Sequence, residues 1–114
     1  MTSARILVVE DEAVVALDLR KRLTSLGYDV VDVAARGETA VEIAKRRRPD
    51  LTIMDIRLRG EMDGIEAADI IRSQLALPVV YLTAHADEAT IDRARITEPF
   101  GYILKPFDER ELRT

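Results

Sequence analysis

The chain has no cysteine in its 114 residues. Disulfides and thiolate chemistry are therefore excluded, and the fold cannot depend on an oxidising compartment. Histidine occurs once, as His85. Without a second histidine or a cysteine it has no partner for a nitrogen- or sulfur-ligated metal site. Long hydrophobic runs are missing too. The start, Met1-Thr2-Ser3-Ala4-Arg5, leads into only four apolar residues, Ile6 to Val9. That run is too short for a signal-peptide core and far too short to cross a bilayer, so a cytoplasmic location without membrane contact is expected. There is no excess of positive charge: Lys and Arg total 17 against 21 Asp and Glu, a formal charge of -4. This balance argues against a direct nucleic-acid surface and for binding cations. Internal repeats, low-complexity tracts and linkers are also lacking.

What is present fits an ordinary globular protein, with 47% hydrophobic and 33% charged residues. The length allows one domain with one core, taken as residues 1–114. Leu51-Thr52-Ile53-Met54 is a short continuous apolar run, as expected of a strand buried on both faces of a parallel sheet. It ends in Asp55 and then breaks down into Arg57, Arg59 and Gly60. Ile6-Leu7-Val8-Val9 is a second such run, ending in Glu10-Asp11-Glu12. Asp11 or Glu12 is expected to start a helix carrying Val15, Leu19, Leu23 and Leu26 at helical spacing, stopped by Gly27. Tyr28 to Ala34 reads as a strand nearer the sheet edge. Gly37 to Arg48 reads as a helix that Pro49 prevents from continuing.

Asp63 has the position of an N-cap for a helix running to about Leu75, with Ile65, Ala68, Ile71 and Leu75 towards the core. Pro78 to Leu82 is the fourth strand, followed directly by Thr83-Ala84-His85. Asp87 to about Ile96 is a more polar helix. Phe100 to Leu104 is the fifth strand, followed by Lys105-Pro106. Asp108 begins a last helix, with Glu111 placed for a capping box. The alternation of strand and helix implies an α/β fold with a parallel sheet and helices on both faces. The fifth helix has barely begun when the sequence reaches Thr114, so a piece of a longer protein with a truncated last helix is expected.

In a parallel sheet all strand carboxyl ends share one edge, where ligands collect. That edge holds Glu10 and Asp11, Asp55, Thr83 and Lys105. If the first and third strands are neighbours, three carboxylates share a small space. Each close pair then repels by ~4 kcal/mol at an effective dielectric of about 20. Such a cluster needs a cation or a proton to relieve it. All-oxygen ligation suits Mg²⁺, which also binds phosphate oxygens. Lys105 adds a compact positive charge and Thr83 a hydroxyl donor, a set suited to placing a phosphoryl group on an oxygen nucleophile.

These residues carry a resemblance. Ile6-Leu7-Val8-Val9-Glu10-Asp11-Glu12, Met54-Asp55-Ile56-Arg57-Leu58, Tyr81-Leu82-Thr83-Ala84 and Tyr102-Ile103-Leu104-Lys105-Pro106 occur in order, each closing an expected strand. Together they resemble the receiver domains of two-component response regulators, the family of the chemotaxis response regulator. The resemblance implies a flavodoxin-like, doubly wound five-stranded sheet of order 2-1-3-4-5. It implies that Asp55 is the phosphoacceptor, supplied by a phosphohistidine on a histidine kinase or phosphotransfer protein. Asp11 and Asp55 would hold Mg²⁺ or Mn²⁺ directly with the Arg57 backbone carbonyl, and Glu10 through water. Lys105 would pair with the phosphoryl group. Thr83 would hydrogen-bond it, and Tyr102 would follow by changing rotamer. Lys105-Pro106 would be a cis bond. The surface of the fourth helix, fifth strand and fifth helix would carry the output and a homodimer contact. A fused kinase or output domain fits the same family. Glu10 stands where many relatives have Asp, and the segment Leu58 to Gly64 lacks the common Met-Pro.

Plainer roles stand beside these. Asp11 is a sound helix cap, Thr83 a turn hydroxyl, and Tyr102 a core residue. Lys45-Arg46-Arg47-Arg48 complements the negative end of a helix dipole rather than marking a nucleic-acid site. Arg57 and His85 are expected at the rim of the phosphoryl site, tuning attack by water. A phosphatase with an aspartate nucleophile would need Asp-x-Asp, but the chain has Asp55-Ile56-Arg57. A flavin or dinucleotide would be repelled by Glu10-Asp11-Glu12. The alternative that remains is a receiver-like scaffold that binds partners without phosphorylation. The expected role is thus a signalling switch rather than an enzyme.

Overall fold

A computed structural model describes residues 4–58, 60–83 and 101–104. The first apolar run forms β1 (Arg5–Val9), and α1 (Ala13–Ser25) follows it. Next come β2 (Asp29–Ala34), α2 (Gly37–Arg47) and β3 (Leu51–Asp55). The remaining described elements are α3 (Gly64–Leu75), β4 (Val79–Thr83) and β5 (Gly101–Leu104). The strands form one sheet of order β2-β1-β3-β4-β5, and every neighbouring pair is parallel. This is the flavodoxin-like α/β order that the sequence motifs imply. The expected fourth helix (Asp87 to Ile96), the Lys105-Pro106 peptide and the last helix from Asp108 lie outside the described residues, as do His85 and Lys105.

Strand alternation divides the core into two layers. Leu7, Val9, Met54, Val79 and Tyr81 pack with Ala40, Val41 and Ile43 of α2 and Ile65, Ala68 and Ile71 of α3. Ile6, Val8, Ile53 and Leu82 pack on the opposite side with Leu19 and Leu23 of α1. Burying a side chain of this size contributes about 1.5–3 kcal/mol before entropy is counted. The sheet is therefore covered on both faces, which explains the unbroken apolar runs of β1 and β3. Leu75, expected in the core, is only partly buried against it.

Asp63 caps α3 as expected. Its side chain accepts the Glu66 backbone N–H while the Glu66 side chain accepts the Asp63 N–H, a complete capping box. At α1 the start falls on one of the two expected residues, without a side-chain cap. Glu12 occupies the N-cap position but makes no side-chain cap hydrogen bond. Asp11 lies instead with the carboxylates described below. Lys45, Arg46 and Arg47 lie in the last turn of α2, as expected of a dipole complement, and two further contacts hold that end. Arg5 donates to the Arg47 carbonyl at 2.8 Å and the Arg48 carbonyl at 3.2 Å, so a residue of β1 satisfies the last carbonyls of α2. Arg48, in the left-handed region at φ 45°, reaches the Leu75 carbonyl at the end of α3 at 3.1 Å.

Candidate metal and phosphoacceptor site

The site grows from the register of the sheet. Val9 of β1 pairs with Met54 of β3, so the next residues, Glu10 and Asp55, come side by side at the edge of the sheet. The Glu10 N–H donates to the Ala34 carbonyl of β2 at 2.9 Å, which carries the ladder one residue past β1. The Ile56 N–H does the same on the other side, donating to the Leu82 carbonyl of β4 at 3.2 Å. Both carboxylates are thereby held on rigid backbone. Glu10 is 2% and Asp55 5% exposed, while Asp11 is only half-buried.

One carboxylate oxygen from each of Glu10, Asp11 and Asp55 lies within 4.8 Å of the others. At such separations each ionised pair repels by roughly 3–4 kcal/mol at an effective dielectric of about 20. A hard divalent cation relieves that repulsion, and a donor set made only of oxygens is the kind that Mg²⁺ accepts. The residues present therefore fit such an ion. Asp55 is further held by the Arg57 N–H, which donates to its Oδ1 at 3.1 Å. This turn brings the Arg57 backbone back towards the carboxylate.

The backbone of β4 brings Thr83 to the same edge. Leu82 pairs with Asp55, so Thr83 is one step beyond it on β4. Thr83 pairs with Leu104, the residue before Lys105, and Tyr102 pairs with Tyr81. Beside the carboxylates, a cleft of about 310 Å³ is lined by Glu10, Asp11, Ala13, Leu17, Arg20 and Val33. Val14 and Leu17, near the start of α1, are 81% and 53% exposed.

Two residues that shape the site were not singled out from sequence. Gly64 touches the Asp55 carbonyl so closely that a Cβ there would overlap it. Its signal was a glycine at the first turn of a helix, directly after the capping Asp63. Glu38 accepts the Met62 N–H at 3.0 Å from another helix, and no local pattern announces that contact.

A doubly wound parallel sheet carries a carboxylate cluster at the ends of β1 and β3. The chain belongs to the response regulator receiver domain family of two-component signal transduction, whose profile matches residues 6–114. It is 41% identical to the transcriptional regulatory protein PdtaR of Mycobacterium tuberculosis over 108 residues, covering 95% of this chain and 52% of PdtaR. It is 36% identical to the DNA-binding response regulator MtrA of the same organism, covering 95% of this chain and 46% of MtrA. The chain thus spans about half the length of the curated relatives it matches.

Among solved structures, the receiver domain of a modulated diguanylate cyclase from Desulfovibrio desulfuricans G20 matches with a TM-score of 0.93 and 40% identity, covering 98% of this chain and 89% of that one. The receiver domain of the sensor histidine kinase PA1611 from Pseudomonas aeruginosa PAO1 matches with a TM-score of 0.87 and 35% identity, covering 98% and 93%. That neighbour has a magnesium ion coordinated in its active site cleft. Among the described residues, no helix is long and apolar enough to cross a membrane.

Proposed function

We propose that the chain is a phosphoacceptor switch in which Asp55 receives a phosphoryl group from a phosphohistidine of a partner kinase or phosphotransfer protein. The reading rests on the convergence of Glu10, Asp11 and Asp55 to within 4.8 Å at the edge of a receiver fold. An Asp55 carboxylate oxygen forms the new bond to phosphorus as the P–N bond of the donor breaks. The released imidazole nitrogen keeps the electron pair and takes a proton. The Arg57 N–H orients the Asp55 carboxylate for this displacement. Asp11 and Asp55, with the Arg57 backbone carbonyl, are the residues to hold Mg²⁺ or Mn²⁺ directly, and Glu10 through water. When bound, the ion supplies positive charge against the phosphoryl oxygens.

Lys105 pairs with the transferred group and Thr83 hydrogen-bonds it, with Tyr102 following as the switch residue. The new charge-assisted bonds favour one of two arrangements of the face formed by β5 and the helices flanking it. The shift can be no larger than the difference in the phosphoryl group's interaction with the two states. That face would control an output and form a homodimer contact. Residues 1–114 act as one domain of a longer protein, fused to an output or kinase domain and working in the cytoplasm. Exposed Leu17, lining the cleft beside Glu10 and Asp11, offers an apolar contact for a protein phosphodonor. Arg57 and His85 set how fast water attacks the phosphoryl group, so Arg57→Ala and His85→Ala should each change the dephosphorylation rate.

Incubation with a small-molecule phosphodonor and Mg²⁺, read by intact mass, tests the reading. Gain of one phosphoryl group by the native chain, absent in Asp55→Asn, supports it. No gain in either protein leaves the partner-binding scaffold instead.

A further inference from the structure

The connection between β3 and α3 starts directly after Asp55, and its far end is held by a different helix. Met62 donates its backbone N–H to Glu38 Oε1 at 3.0 Å. Glu38 belongs to the first turn of α2 and is partly buried. The contact is closely fitted: a Cβ on Gly37 would lie 2.9 Å from the Met62 carbonyl oxygen and 3.2 Å from the Ala67 Cβ. Gly60 turns at φ +105°, with both Glu38 carboxylate oxygens within 3.8 Å of where its Cβ would be. Met62 leads straight into Asp63, the capping residue of α3. An acidic residue at a helix start ordinarily favours its own helix's dipole. Here the carboxylate is spent on an N–H of another element.

We infer that Glu38 is a positioning residue for the divalent-cation site. By accepting the Met62 N–H it fixes the far end of the β3–α3 connection. That in turn limits the backbone of Ile56 and Arg57, whose N–H groups are already bonded to Leu82 and to Asp55. With both ends held, the Arg57 backbone stays beside the carboxylates when the ion arrives, and less ordering is needed on binding. Partners bonded directly to a metal ligand typically change affinity by about 10–100-fold when lost; Glu38 acts through the intervening backbone, so a smaller effect is expected. The inference rests on the metal-site reading proposed above.

The experiment titrates Mg²⁺ alone into the ¹⁵N-labelled chain, following backbone amide shifts, with thermal unfolding of the metal-free proteins alongside. Glu38→Asp keeps the charge but is too short to reach Met62. Glu38→Gln loses the charge but keeps an oxygen that can accept the same N–H. Glu38→Asp is expected to shift the Met62 amide and weaken Mg²⁺ binding by about threefold, below the range for partners bonded directly to a ligand. Glu38→Gln is expected to bind near the native level, and both should unfold near the native midpoint. Equal affinity in Glu38→Asp and the native chain overturns the inference. So does a loss in Glu38→Gln as large as in Glu38→Asp, which would make charge and not the hydrogen bond responsible. If the native chain itself does not bind Mg²⁺, the metal-site reading fails and takes the inference with it, a result distinct from the other two.

Discussion

Gly64 lies directly against the carbonyl oxygen of Asp55, with no room between them for a side chain. The first residue of α3 thereby seats on the last residue of β3, and its N–H donates to the Ile56 carbonyl at 3.0 Å. The helix that follows the candidate phosphoacceptor is packed against that residue's own backbone.

Gly64→Ala should therefore push α3 off the end of β3. Inserting a methyl into a site this tight costs about 1–3 kcal/mol or more, because backbone and not a flexible side chain must move. Denaturant unfolding should show the loss. Phosphoryl uptake at Asp55 should fall further than stability alone explains, since the carboxylate moves with its backbone.

The carboxylate cluster predicts opposite responses with and without metal. Asp11→Asn removes one charge from a group of mutually repelling carboxylates. In chelator the variant should melt at or above the native temperature. With excess Mg²⁺ the native chain should gain stability, by about 2.7 kcal/mol at a hundred times its dissociation constant. Asp11→Asn should gain little. A native melting curve indifferent to Mg²⁺ would contradict the metal site.

Thr52 is fully buried in β3, and its hydroxyl has no hydrogen-bond partner among the described residues. Its register neighbours are Leu7 and Val79, both core residues. Leaving a polar group in such a place costs about 1–3 kcal/mol. Thr52→Val should stabilise the domain by roughly 1 kcal/mol, at the low end of that range. A higher midpoint of urea unfolding, with an unchanged slope, is the expected signature.

Asp63→Ala removes one half of the α3 capping box. The expected loss is about 1 kcal/mol, within the range for helix caps. Asp63→Asn should recover most of it, because the amide oxygen can still accept the Glu66 N–H. Equal unfolding midpoints for Asp63→Ala and the native chain would show that the cap contributes nothing.

Much of this arrangement is legible in the order of residues. The apolar runs of β1 and β3 end where charge begins, and Asp63 with Glu66 spells out a helix start. Gly27 and Pro49 stop helices as their backbones require, and these signals act over a few residues. The motif at each strand end also points to the receiver-domain family, which the match over residues 6–114 upholds. Other features were decided only when the chain folded. Asp11 could cap α1 or join Glu10 and Asp55, and only the adjacency of β1 and β3 settles where it lies. Arg48 could serve the end of its own helix, yet the seating of α3 gives it the Leu75 carbonyl. Glu38 meets Met62, and Gly64 meets Asp55, because two helices share one face of the sheet. Propensity and periodicity are local, whereas strand order and helix seating follow from burial summed over the whole chain.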